Sequence, residues 1–181
     1  ATSLAVFDTN AGEVVCDCKK FLPVKPGQLG LRQSDALFHH TAALPALLEE
    51  LSRQTDFSAV AAVGVSSRPR PVEGSYMPVF LAGLSVAQTV ASTLLVPLCR
   101  TSHQEGHIMA GIATAKMPED GKFLAVQLSG GTSELLLVQP GKGGFDIDIL
   151  GATLDLHAGQ LLDRTGVLLG LKFPCGPEMD G

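Results

Sequence analysis

Leu150-Gly151-Ala152-Thr153-Leu154-Asp155-Leu156-His157-Ala158-Gly159-Gln160-Leu161-Leu162-Asp163-Arg164-Thr165, continued by Leu168-Leu169-Gly170-Leu171-Lys172-Phe173-Pro174-Cys175-Gly176-Pro177, decides the fold of this chain. The spacing predicts a helix over about 156–169, stopped by Gly170 at its C-terminal end. Upstream stand three alternating strands, 123–128, 134–139 and 145–150, after a turn at Pro118 to Gly121. Three strands and then a helix is one layered unit, and the turn is the expected boundary between it and residues 1–118.

The first part reads in the same way. Leu4 to Phe7 and Glu13 to Lys19 alternate around Asp8-Thr9-Asn10-Ala11-Gly12, which predicts a hairpin. Phe21 to Gly30 is a loop rich in Pro and Gly. Ser34 and Asp35 are expected to cap a helix that carries Leu37, Phe38, Leu44, Leu47, Leu48 and Leu51 and runs to about Gln54. Ala59 to Val65 is a wholly apolar buried strand. A helix over 76–93, a short strand over 95–98 and a helix over 104–115 follow. With one further strand before Ala1, residues 1–118 read βββαβαβα, and residues 119–181 begin the same pattern again.

Composition sets broad limits. The 181 residues are 45% hydrophobic with a formal net charge of -5, and the mean hydropathy is +0.27 with a pI near 5.4. This balance excludes a generally basic, nucleic-acid-coating surface. The four cysteines form no Cys-x-x-Cys pair, which points to reduced thiols and a cytoplasmic setting. Cys16 and Cys18 share one strand face and are read as packing. Met77 to Leu98 holds no charge, but Pro78, Gly83, Gln88, Ser92, Thr93 and Pro97 make it a buried helix and strand, so no membrane association is expected.

Two motifs carry chemistry. His103-Gln104-Glu105-Gly106-His107 sets two imidazoles on one side of a helical turn, a geometry for two ligands on one metal ion. Gln127-Leu128-Ser129-Gly130-Gly131-Thr132 is a strand and a Gly-rich turn that lets a ligand approach backbone. Taken alone, each has a plain alternative: two satisfied helix histidines, and an ordinary β-turn.

Together with the closing stretch, these motifs resemble the tRNA threonylcarbamoyladenosine transferase family, formerly called O-sialoglycoprotein endopeptidases or glycoproteases. The resemblance covers nearly all of the chain and implies an α/β actin-like ATPase (ASKHA, ribonuclease-H-like) fold. Residues 1–118 would be a first lobe lacking its first strand, and 119–181 the truncated start of a second. The chain then reads as the N-terminal half of a divergent member, inactive by itself.

The implied reaction moves a threonylcarbamoyl group from threonylcarbamoyl-AMP to the adenosine next to the tRNA anticodon. The implied site has His103 and His107 on one divalent metal ion, iron or zinc, completed by a later Asp beyond this sequence. Gln127, Leu128, Ser129, Gly130, Gly131, Asp163 and Gly176 would bind threonylcarbamoyl-AMP or ATP, with Asp163 accepting from ribose hydroxyls. The implied partners are tRNA, a smaller paralogue subunit and an ATPase of the same pathway. His39 and His40 are given no metal role, and His157 is read as surface or packing.

Three departures stand against the family pattern. Thr132 replaces the His of Ser-Gly-Gly-His-Thr, Cys175 stands where glycine is common, and Ser66 to Gly74 replaces a Gly-Pro-Gly turn. Arg68 and Arg70 in that last segment could reach a phosphate or tRNA, but are read as a solvated loop. The departures keep two rivals open: a non-catalytic paralogue acting as a scaffold or dimerisation partner, and a carbamoyltransferase for another substrate. An actin-like sugar kinase has no need of the histidine pair.

Overall fold

A computed structural model describes residues 1–24, 31–115 and 121–180. It is mixed α/β, in the order β1 (Thr2–Asp8), β2 (Glu13–Lys20), α1 (Gln33–Ser52), β3 (Val63–Arg68), α2 (Phe80–Leu94), β4 (Leu98–Ser102), α3 (His103–Thr114), β5 (Phe123–Leu128), β6 (Ser133–Gly141), β7 (Gly144–Ala152), α4 (Ala158–Leu168) and α5 (Gly176–Met179). The described residues form two compact units. One takes in Ala1–Pro23, Arg32–Pro69 and Gly74–His103; the other takes in Val24, Leu31, Arg70–Glu73 and the described residues from Gln104 onward. The boundary expected at 118/119, and most of the loop expected up to Gly30, lie outside the described residues.

In the first unit β1 pairs antiparallel with β2, and β3 pairs parallel with β4, as two separate sheets. The hairpin is as expected: Asp8 Oδ1 accepts the N–H groups of Asn10 and Ala11, and Gly12 closes the turn with φ of +73°. Helix α1 lays Ala43, Leu47 and Leu51 on Cys18, Leu4, Val6 and Cys16. The Cys18 thiol donates to Leu47 O at 3.3 Å, which bears out packing for the cysteine pair.

Several sequence expectations are corrected here. Arg32, not Ser34, occupies the position before α1, without a side-chain cap, and Phe38 is exposed. Residues Phe57–Ala59 form a short 3₁₀ turn capped by Asp56, so the strand begins only at Val63 and Ala61 and Ala62 are exposed. Leu95 is not in a strand; it ends α2 in the left-handed conformation with φ of +57°, and β4 starts at Leu98. Among the described residues no helix is long and apolar enough to cross a membrane.

Thr2 Oγ1 lies 2.7 Å from His40 Nδ1 and joins β1 to α1. Burial first, then the positive amino terminus and His39, hold the His40 pKa below its usual 6.5. The unfolded chain therefore binds more protons, and stability rises with pH. The His40 contribution should be complete above about pH 6.5 and be lost as the pH falls below it. Urea unfolding across this range should show the loss, and His40→Gln should flatten it; an unaltered pH slope in the variant would remove His40 from the account.

In the second unit β5, β6 and β7 form an antiparallel sheet in that order. Alternation turns Phe123 and Ala125, Leu136 and Val138, and Phe145 and Ile147 toward Ile108 and Ile112 of α3. Leu136 and Val138 are fully buried, each contributing about 1.5–3 kcal/mol. The opposite face carries Leu124, Val126 and Leu128, all exposed.

Helix α4 ends as expected. Gly170 has φ of +84°, and the Leu171 N–H returns to Gly166 O at 2.9 Å. Gly166 also meets the fully buried Cys175: a Cβ there would lie 2.6 Å from its Sγ.

Candidate functional site

Helix α3 starts at His103, directly after β4. At 100° per residue, Gln104, Glu105 and Ile108 point inward and are buried, whereas His103 and His107 share the exposed strip one turn apart. The Phe80 ring stands 5.9 Å from the His103 ring. Two imidazoles at this spacing fit two ligands of one ion. Among the described residues, no group of three or more His, Cys, Asp or Glu is gathered for a metal. Glu105 points away from the strip: its Oε1 accepts the Phe145 N–H at 3.4 Å and rests against Gly144, where a Cβ would collide with it.

The Gly-rich turn follows β5. Ser129 N–H donates to Thr132 O at 2.8 Å, while Ser129 Oγ accepts from the N–H groups of Gly131 and Thr132 at 3.2 and 3.0 Å. The hydroxyls of Ser129 and Thr132 lie 2.7 Å apart. Two of the N–H groups expected to face an anion thus face the Ser129 hydroxyl instead. Among the described residues, nothing comes within 4 Å of a Cβ built on Gly130 or Gly131, and neither has positive φ. Their smallness leaves open space over the turn.

Helix α4 docks against this turn through its first residues. Gly159 N–H donates to Ser129 O at 3.1 Å and Ala158 N–H to Ser133 Oγ at 2.8 Å. Further along α4, Asp163 Oδ1 accepts the Cys175 N–H at 2.9 Å, and Gly176 follows in space that a Cβ would find open. Helix α4 therefore carries Asp163, and through the Cys175 bond ties the segment that opens α5 at Gly176, to the same framework as Ser129, Gly130 and Gly131. Burial, then the charges of Asp163 and Glu178, raise the Cys175 thiol pKa and keep it protonated. His157, read as surface or packing, is half-buried just before α4, and its Nδ1 is buried with no hydrogen-bond partner.

His107 and Ser129 line one open cleft of about 480 Å3. Ile108, Ile112, Phe123 and Leu136 form its apolar wall, and Gln127 and Leu128 continue it to the turn. Asp163 and Gly176 are not among its walls.

A buried polar cluster escaped the sequence reading. Arg70, expected to be solvated, pairs with Glu134 at 2.5 Å, and Glu134 is only 8% exposed. Gln104 Nε2 donates to Glu134 Oε2 at 3.4 Å and to Gln127 Oε1 at 3.1 Å. A signal for it was present: Glu134 shares the inward face of β6 with Leu136 and Val138, and a carboxylate on a core face needs a partner.

The second unit thus combines a Gly-rich turn, a helix docked on it and a histidine-bearing helix alongside. The family model described as tRNA N6-adenosine threonylcarbamoyltransferase matches residues 12–181. Curated relatives of that same name are similar along the chain. One from Carboxydothermus hydrogenoformans is 35% identical over 141 residues, 78% of this chain and 40% of the relative. One from Thermotoga neapolitana is 31% identical over 179 residues, 99% of this chain and 52% of the relative. One from Methanopyrus kandleri is 30% identical over 176 residues, 95% and 48%. The chain belongs to the tRNA N6-adenosine threonylcarbamoyltransferase family and spans about half the length of these relatives.

Proposed function

We propose that this chain supplies the adenylate- and metal-holding part of a tRNA threonylcarbamoyl transferase. What carries the proposal is the cleft shared by His107 and Ser129, inside a chain matched by the family model on both sides of it. The fold is read as actin-like, with a first ribonuclease-H-like lobe over 1–118 and the start of a second over 119–181.

The adenosine N6 attacks the carbamoyl carbon of threonylcarbamoyl-AMP. A C–N bond forms, the C–O bond to the phosphate breaks, AMP leaves with the electron pair, and the N6 proton passes to solvent. Gln127 to Gly131 would seat the adenylate in the open space over the turn, and Asp163 would accept from the ribose with the carboxylate capacity its bond to Cys175 leaves. Gly176 gives the nucleotide close approach. His103 and His107 would hold one divalent ion, iron or zinc, which when bound supplies Lewis-acid polarisation of the carbamoyl oxygen. tRNA, a smaller paralogue subunit and an ATPase are the proposed partners, in the cytoplasm.

The test is metal content and AMP binding of the purified chain, beside a His103→Ala/His107→Ala variant. The variant should lose the metal and keep its fold and its AMP binding. A folded chain that takes up neither metal nor AMP would sink this reading and leave a scaffold paralogue.

A further inference from the structure

Gln104 stands between the two histidines in sequence, yet its amide faces the opposite way. It is 4% exposed and lies against the sheet of the second unit. Its Nε2 donates to Gln127 Oε1, two residues before Ser129, and to Glu134 Oε2, two residues after Thr132. Gln127 and Glu134 are also cross-strand partners in the β5–β6 ladder. One amide of α3 therefore bridges both strands directly beneath the Gly-rich turn. Arg70 holds the other oxygen of Glu134, which fixes the carboxylate that Gln104 reads.

This geometry has a mechanical consequence. A ligand seated on the turn that shifts β5 against β6 changes the distance between Gln127 and Glu134. Gln104 is buried and bonded to both, so a change in that distance loads its amide and, through it, α3. His107 lies three residues further along the same helix.

We propose that Gln104 is a positioning residue that transmits occupancy of the Ser129–Thr132 turn to the histidine strip of α3. This rests on the reading that the turn binds an adenylate. Binding at the turn and binding at the histidines would then be linked, each altering the other by the same factor.

The measurement is the His107 ring Cε1–Hε1 resonance of the 181-residue chain, assigned with His107→Gln and followed during titration with AMP. In the native chain AMP should displace this resonance. In Gln104→Met, which keeps the volume and removes both hydrogen bonds, AMP should still bind while the displacement falls about fivefold or more. Glu134→Gln keeps an oxygen for Gln104 and should retain the displacement. Packing alone would change melting temperature in both variants and the displacement in neither. If Gln104→Met does not fold, Gln104→Asn draws the amide back by one methylene and serves the same comparison. A displacement as large in the variant as in the native chain overturns the link. So does AMP binding to the native chain without moving His107, an outcome that leaves the adenylate reading standing. Failure of AMP to bind the native chain at all overturns that reading, and the link with it.

Discussion

Replacing Gly159 with alanine should cost the chain about 1–3 kcal/mol of stability and about tenfold in AMP affinity. The added Cβ would lie 2.6 Å from Gly130 N and from Ser129 C, and these are backbone atoms of the turn. Backbone cannot rotate away as a side chain can, so α4 must back off. Retreat breaks the bonds from Gly159 N–H to Ser129 O and from Ala158 N–H to Ser133 Oγ. Two such bonds are worth about 1 kcal/mol each. The greater helix propensity of alanine returns at most about 1 kcal/mol, so the steric loss wins. Urea melts and AMP calorimetry check both parts; an unchanged melt would mean that α4 does not rest on the turn.

Arg70→Met should destabilise by about 1–3 kcal/mol, below the range for a fully buried pair because the Arg70 side chain is itself 32% exposed. It leaves the Glu134 carboxylate, 8% exposed, without its cation. The Gln104 bond remains and softens the loss. Removing the charge as well should recover much of it, because the cost lies in the stranded carboxylate rather than in the missing contact. The double variant Arg70→Met/Glu134→Gln should therefore be more stable than Arg70→Met alone, with a coupling of about 1–3 kcal/mol in the cycle. Strict additivity of the two substitutions would show that the pair is not energetically real.

Which parts of the fold could be read from sequence follows from the range of the forces. Strands β5 to β7 alternate cleanly and their turns are set by local chemistry, so their bounds emerged within a residue or two. The His-x-x-x-His pair also needs only one helical turn to define it. Ala59 to Ala62 misled because alanine is apolar but small, and carries little information about which side is buried. Leu95 misled because an apolar residue rarely adopts positive φ. Ser34 and Asp35 looked like caps, but the helix begins at Gln33, before both of them.

Long-range polar contacts were the harder case. Arg70 and Glu134 are 64 positions apart, and Gln104 and Glu134 are 30 apart. No periodicity or motif spans such distances. The turn itself was located correctly, but the direction of its N–H groups depended on the Ser129 hydroxyl, a matter of one rotamer. Asp163 was singled out for a ribose; that its Oδ1 also holds the Cys175 N–H could be seen only once α4 and the following segment were folded together.

The residues between the two histidines bear on how such a site ages. Gln104 and Glu105 are buried and bonded to the sheet, whereas His103 and His107 face outward. On the proposal that His103 and His107 hold an ion, a lineage that gave up that ion would be released from selection at the two histidines first. Gln104 and Glu105, the buried two of the three residues between them, would stay under purifying selection through their bonds to the sheet. Decay of the site would then run from the ligands inward, and an eroded descendant would be recognised by the buried pair it had kept after the imidazoles were gone.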